Sequence, residues 1–268
     1  MRRMMMRSAA VFLLCTVAGL SSAYAADEEI RCAKNGALTY LFAHGLNGSP
    51  NEWHHFVMKV RDKNKDYGIW RTQVSKLGHI KERAKELADF IKKAAKKCGT
   101  AEKSVVAVGH SMGGLDLRNI VGSYPKERKY LKAVYTIATP HLGDPNACAA
   151  PGGSHDLCGH PDDTGKDSPM KSFNNRHPSS EFKTAGIAFE AFWYECKANK
   201  PGEDGVVPVK SQKWHGADIA RRDGGVGWHK VKHHSTIEAS NCEDQHGCKP
   251  ELCQNKEIEH IMSVQTKK

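Results

Sequence analysis

Short apolar runs that alternate with stretches of helical period are the strongest constraint on how this chain can fold. Residues 37–43, "ALTYLFA", are rich in β-formers and stop at the turn cluster "HGLNGSP". A helix is predicted next, because Trp53, Phe56, Val57 and Val60 fall on one face at i, i+3, i+4, i+7, with His54, His55 and Lys59 elsewhere. "YGIWRTQV" reads as the following strand and "HIKERAKELADFIKKAAKK" as a helix with Ile80, Ala84, Leu87, Ile91 and Ala95 on its inner stripe. "SVVAVGH" is again a strand, "MGGLDLRNIVGSY" a helix with Leu115, Ile120 and Val121 available for packing, and "LKAVYTIATP" a strand closed by "TPHLGDP". "FKTAGIAFEAFWYEC" is a further strand candidate. Strands that are apolar on both faces and alternate with helices predict an α/β fold: a mainly parallel sheet covered by helices on both faces.

The two ends of the chain read differently. Residues 1–25 combine a basic start, "MRRMMMR", an apolar core, "AAVFLLCTVAGL", and the small-residue site "AYA" ending at Ala25, which predicts a signal peptide and export. That apolar core is too short to span a bilayer. Cleavage would leave 243 of the 268 residues, 26–268, enough for one α/β domain. A secreted or periplasmic location is expected, and with it an oxidising environment for the eight cysteines that remain beside Cys15 of the signal: Cys32, Cys98, Cys148, Cys158, Cys196, Cys242, Cys248 and Cys253. Local closure of Cys148 with Cys158 is favoured, as is one bridge within the cluster from Cys242 to Cys253. A zinc site at His246 in that cluster lacks the paired short-spaced ligands such sites use. The formal charge of +10 falls to +7 without the three signal arginines. This excess suits contact with anionic membrane or polymer surfaces as well as solubility alone; no basic stripe with interleaved aromatics points to nucleic acid, and the oligomeric state is open.

A serine interrupts the third strand-to-helix switch. A serine hydroxyl is a poor nucleophile at neutral pH, so hydrolysis needs a histidine base, an acid to orient it and donors for the oxyanion. In "GHSMG", Gly109 and Gly113 flank Ser111 where a side chain would obstruct a sharp strand-to-helix turn, and such a turn aims the hydroxyl out of the end of the sheet. The N–H of Met112 opens the helix and is free to donate; the N–H of Leu46, in the upstream "HGLNGS" loop, would be the second oxyanion donor.

The chain resembles the α/β-hydrolase superfamily, and within it the bacterial secreted lipases and related esterases. Four pieces in the family's order carry the resemblance: "AHGLNGS" at 43–49, "GHSMGGLDLR" at 109–118, "ATPHLG" at 138–143 and "EDGVVP" at 203–208, followed by late histidines. It implies acyl-ester hydrolysis through an acyl-enzyme, with Ser111 as nucleophile and no cofactor. "DGVVP" resembles the segment that carries the triad acid, which points to Asp204; its place after a strand and between serine and histidines also fits, with Asp144, Asp218 and Asp223 as weaker candidates and Asp116 expected on the helix after the serine. For the base, "WHKVKHHSTIEAS" offers His229, His233 and His234, of which "HSTIE" from His234 matches best and His233 is next. The remaining histidines are expected at the surface. Calcium-dependent members place an aspartate just after the catalytic histidine; Ser235, Thr236 and Ile237 stand there instead, so no metal is expected.

Residues 146–178 form a long polar stretch that reads as a lid-like loop insertion. It shows no amphipathic apolar helix of the kind that opens at an oil–water interface, which favours soluble or short-chain esters, or a polar polymer, over emulsified triglyceride. Thioesterase, phospholipase and acyltransferase activities share the acyl-enzyme step and stay open, as does a non-catalytic scaffold that binds an anionic partner.

Overall fold

The computed structural model describes residues 28–192, 206–214 and 258–265. Six strands make one sheet in the order β1-β3-β2-β4-β5-β6, with β1 at Glu29–Arg31, β2 at Thr39–Ala43, β3 at Gly68–Arg71, β4 at Val105–His110, β5 at Leu131–Ile137 and β6 at Ala188–Phe192. β1 runs antiparallel to β3 and every other pairing is parallel. The mainly parallel, doubly covered sheet expected from the sequence is therefore present, with β4 at its centre between β2 and β5. The edge strand β1 was not anticipated: three half-buried residues are too few to show a period.

The strands alternate faces every residue, and each face has its own helices. Tyr40, Phe42, Val106, Val108, Tyr135 and Ile137 point to a layer made by α1 (His54–Lys63) and the helical residues 258–265; Trp53, which ends the 3-10 turn Pro50–Trp53 leading into that first helix, and Phe56, Val57 and Val60 on it are buried, as spaced. Leu41, Ala43, Val105, Ala107 and Val134 point the other way, onto α2 (Ile80–Cys98) and α3 (Met112–Ser123). The five stripe residues expected of α2 are all buried, and each large aliphatic side chain so removed from water contributes roughly 1.5–3 kcal/mol. Its start is capped by Glu82, which accepts from the His79 N–H at 3.2 Å, and its end by Gly99 in the left-handed region at φ 58°. No described helix is long and apolar enough to cross a membrane.

The remaining helices are short: α4 (Pro125–Arg128), α5 (Pro169–Arg176), α6 (Ser180–Thr184) and α7 (Val209–Gln212). α6 and the turn after it take the first part of "FKTAGIAFEAFWYEC", leaving Ala188–Phe192 as the strand. The polar stretch 146–178 departs further from its expectation of irregular loop. It contains two 3-10 segments, Pro145–Ala149 and Gly152–Leu157, and α5, whose Met170 and Phe173 are buried with Ile80, Met112 and Leu115. Only two apolar residues mark α5, below what periodicity can register; the Ser168 cap, accepting from the Lys171 N–H at 3.1 Å with Pro169 at the first helical position, is the signal that was there to read. The stretch is pinned down by Asp156, which accepts from the Ile80 N–H at 2.8 Å, and by the Asp144–Cys158 bridge.

Cys148 is joined to Cys158, as expected. A second disulfide, Cys32–Cys98, ties the chain after β1 to the end of α2; with a separation of 66 residues it restricts the unfolded chain by about 4 kcal/mol on loop entropy alone. Cys196, Cys242, Cys248 and Cys253, the bridge favoured among the last three and the His246 alternative lie outside the described residues, as do residues 1–25, read above as a signal peptide.

Candidate active site

Ser111 stands at the turn between β4 and α3 with φ 52° and ψ −127°, a backbone conformation sparsely populated by residues with a side chain. Such strain costs on the order of 1–3 kcal/mol and persists only where the surroundings enforce it. Here they do: the Ser111 N–H donates to the Ile137 carbonyl at the end of β5 (2.9 Å), and the Gly114 N–H donates to the Ser111 carbonyl (3.0 Å). The flanking glycines are required by close approach. A Cβ on Gly109 would lie 2.6 Å from the Gly114 nitrogen, and one on Gly113 would lie 2.3 Å from the Ala43 carbonyl oxygen. The packing thus agrees with the expected obstruction at both positions.

The upstream loop reaches the same place. A Cβ on Gly45 would sit 2.9 Å from that of Ser111, so the Gly45–Leu46 peptide passes directly beside this serine. His44, fully buried, controls how that peptide is turned. Its Nε2 accepts from the Val74 N–H (3.2 Å), which leaves Nδ1 protonated and donating to the Gly45 carbonyl (2.8 Å). The Gly48 N–H donates to the same carbonyl at 3.3 Å. In a planar trans peptide the N–H points opposite to the C=O, so holding the Gly45 oxygen fixes the direction of the Leu46 N–H. Neither the Leu46 nor the Met112 N–H has a hydrogen-bond partner among the described residues.

Behind this loop lies a buried ion pair that no periodicity argument anticipated. Arg83 of α2 and Asp116 of α3 are both fully buried, with Nη2 to Oδ2 at 2.8 Å and Nε to the same oxygen at 2.9 Å. The guanidinium also donates to the carbonyls of His44 and Ser75, each at 2.7 Å, so one side chain joins the loop after β2, the loop after β3 and α3. Burial pushes the Asp116 carboxyl up, against the pull of Arg83. The available sequence signal was a charge on an apolar stripe, since Arg83 stands between Ile80 and Leu87.

The expectation that the remaining histidines are superficial is overturned for four of them. His44, His110 and His141 are 0–1 % exposed and His177 8 %, because each sits at a strand or helix end that other segments cover. Burial holds His44 neutral, lowering its pKa to about 4; burial and the Arg118 charge do the same for His141, well below the ordinary value, and for His177, to about 4. These groups contribute stability that is complete above the unfolded pKa of about 6.5 and is lost as pH falls toward 4, because the unfolded chain takes up protons that the folded chain refuses. For His44 alone the loss approaches about 3 kcal/mol. Melting temperatures measured at constant ionic strength should therefore fall between pH 6.5 and 4; a flat profile would contradict the assignment.

Asp144 caps the 3-10 segment that follows it, accepting from the Asn146 N–H at 2.9 Å, and Asp116 lies on α3, as expected, engaged by Arg83. Asp204, His234, and the alternatives His229, His233, Asp218 and Asp223 lie outside the described residues. Cys148, Cys158 and His160 are close enough to share an ion, but both sulfurs are committed to the disulfide and have no thiolate to offer.

The chain is similar to several known proteins. Residues 37–148 match the family described as "Putative serine esterase (DUF676)", a span that includes the Leu46 loop and Ser111. Triacylglycerol lipase 2 of Saccharomyces cerevisiae is 27% identical over 179 residues, 57% of this chain and 54% of the yeast protein, so the match spans about half the length of that relative. The mature form of the Bacillus licheniformis lipase BlEst2 superposes with a TM-score of 0.62 at 17% identity, covering 88% of this chain and 95% of the other. The Listeria innocua lin2722 product gives 0.53 at 16% identity, covering 87% and 95%. The fold is that of the α/β-hydrolases.

Proposed function

We propose that this chain, an α/β-hydrolase by fold, is a secreted serine hydrolase that cleaves carboxylic esters of the lipase and esterase type. The observation that carries the reading is Ser111 held at φ 52° on the turn between β4 and α3, with the Gly45–Leu46 peptide against it. The match of residues 37–148 to a serine esterase family and the likeness to a yeast lipase support it.

In the reaction Ser111 Oγ attacks the acyl carbon while His234 takes its proton and Asp204 orients the imidazolium. The N–H groups of Leu46 and Met112 receive the developing oxyanion. His234 then protonates the leaving alcohol, and water, activated by the same histidine, releases the acid from Ser111. No cofactor takes part in these steps.

Short, soluble esters are the favoured substrates. Met170 and Phe173, the apolar residues α5 could offer to an oil surface, are already buried against Ile80, Met112 and Leu115. With p-nitrophenyl esters of rising chain length, kcat/KM is expected to be highest from acetyl to hexanoyl and to fall for palmitoyl, with no gain when substrate is emulsified. A fluorophosphonate probe should label Ser111 and abolish turnover together. Binding of an anionic polymer without labelling or turnover would replace this reading with that of a non-catalytic scaffold.

A further inference from the structure

The cleft between α2, α3 and α5 takes no part in the steps above. It has a volume of about 1000 Å³, ample for a small ligand, and neither Ser111, Leu46 nor Met112 lines it. Asn119, Gly122 and Ser123 form its wall on α3, and Ser172, Phe173 and His177 the wall on and just after α5. Asn119 is two turns along α3, about 12 Å from Ser111 down the axis at a rise of about 1.5 Å per residue.

Two side chains of these walls are buried and polar yet lack partners. Asn119 is 7 % exposed, and its carboxamide makes no hydrogen bond to a described residue. His177 is 8 % exposed; its Nδ1 has no hydrogen-bond partner, because Glu181 Oε2 at 3.6 Å is too far away for one. An unsatisfied group of this kind costs about 1–3 kcal/mol and calls for an explanation. Burial and the charges of Arg118 and Arg176 keep the imidazole neutral, so it offers one donor and one acceptor, and the carboxamide offers both as well. A Cβ on Gly122 would lie 2.3 Å from both His177 Nδ1 and Glu181 Oε2, so α3 comes up to this histidine only because residue 122 is glycine.

The walls are anchored from behind. Arg118, next to Asn119 and 0 % exposed, donates through Nη2 to the His177 carbonyl and to Asn174 Oδ1, both at 2.8 Å. Its guanidinium carbon stands 5.0 Å from the Phe173 ring centroid and 3.5 Å from that of Trp214. The end of α5 is thereby fixed on α3, and the cleft is preformed. Across it, Asp156 accepts from the Ile80 N–H at 2.8 Å and lies 2.9 Å from His79 Nδ1.

Charge and polarity decide what fits. Lys81 and Arg176 at the rim are matched by Glu82 and Asp156, so the cleft lacks the excess of cations that a phosphate or carboxylate ligand needs. A purely apolar ligand would leave the amide and the imidazole unsatisfied. Hydroxyl groups, each both donor and acceptor, satisfy both, and a face of C–H groups can rest against Tyr124. We propose that this cleft is a saccharide-binding site, in which Asn119 and His177 hydrogen-bond the hydroxyls of one sugar ring and Ser123 and Ser172 those at the mouth.

The test titrates the full mature chain with cellobiose, maltose and N-acetylglucosamine, read by calorimetry and ligand-observed NMR. At least one sugar is expected to bind with a Kd of roughly 0.1–10 mM. It should bind Ser111→Ala as it binds the parent, so failure here and failure of the ester reading are separable. Asn119→Leu, which keeps the volume and removes the amide, should weaken that binding at least about tenfold while p-nitrophenyl butyrate turnover changes less than about twofold. Ser172→Trp, at an exposed position, closes the mouth; it should abolish binding, and it carries the test if Asn119→Leu does not fold. No binding of any of these sugars up to about 50 mM, or binding that both variants leave unchanged, would overturn the proposal. Binding of inorganic phosphate or butyrate in place of the sugars, lost in Asn119→Leu, would replace it with an anion site.

Discussion

Replacing Ser111 with alanine is expected to lower kcat for ester hydrolysis by roughly a million-fold, while leaving the fold and the affinity for substrate close to unchanged. The size follows from the role: without the hydroxyl no acyl-enzyme forms, and what persists is the contribution of the oxyanion donors and of binding. Alanine relieves nothing, because any Cβ at φ 52° meets the same backbone constraint. Ser111→Gly separates the two effects. It should be as inactive as the alanine variant, yet more stable by about 1 kcal/mol, because glycine adopts positive φ without the steric cost. Activity of either variant within tenfold of the parent would remove Ser111 from the mechanism. A glycine variant less stable than the alanine one would show that the elbow is not strained.

Asp116→Ala is expected to destabilise the protein by about 3–5 kcal/mol, the usual cost of leaving one member of a buried pair without its counter-charge. For a domain of this size that amounts to a fall of about 10 °C in Tm. The guanidinium of Arg83 would keep its bonds to the His44 and Ser75 carbonyls but lose the carboxylate that offsets its charge. Restoring apolar volume on both sides, in Arg83→Met with Asp116→Leu, should recover much of the loss, since the pair's desolvation cost disappears with the pair. Activity should not recover equally. The double variant still lacks the donor that holds the His44 carbonyl, so the Gly45–Leu46 peptide loses one of its supports. A single Asp116→Ala variant that melts within about 2 °C of the parent would rule out a buried charge at Arg83 in solution.

Much of the architecture was present in local patterns. The stripe of α2 and the four buried residues around α1 announce themselves because burial repeats with the helical period, and β2, β4 and β5 because each is an apolar run buried on both faces. The Gly-His-Ser-Met-Gly stretch was legible for a related reason: a bend that tight excludes a Cβ on either side, and the need for glycine shows in the chain without any knowledge of neighbours. The Cys148–Cys158 link was within reach because its partners are only 10 residues apart. Other features depend on segments that meet only after folding. Cys32 and Cys98 are paired by the sheet and α2 lying together, and eight cysteines carry no trace of that choice. α5 holds too few apolar residues to show a period, and its place is set by the pocket formed by Ile80, Met112 and Leu115. The buried histidines and the charges of Arg83, Arg118 and Asp116 look like surface residues in a linear reading, because polarity is a local property whereas the partners that make burial tolerable come from elsewhere in the chain. The sequence by itself determined the strands β2 to β5, the helices α1 to α3 and the turn at Ser111, since those follow from near neighbours. Only the tertiary structure decided which way the Leu46 N–H faces and what surrounds Arg118, because both depend on hydrogen bonds between residues tens of positions apart.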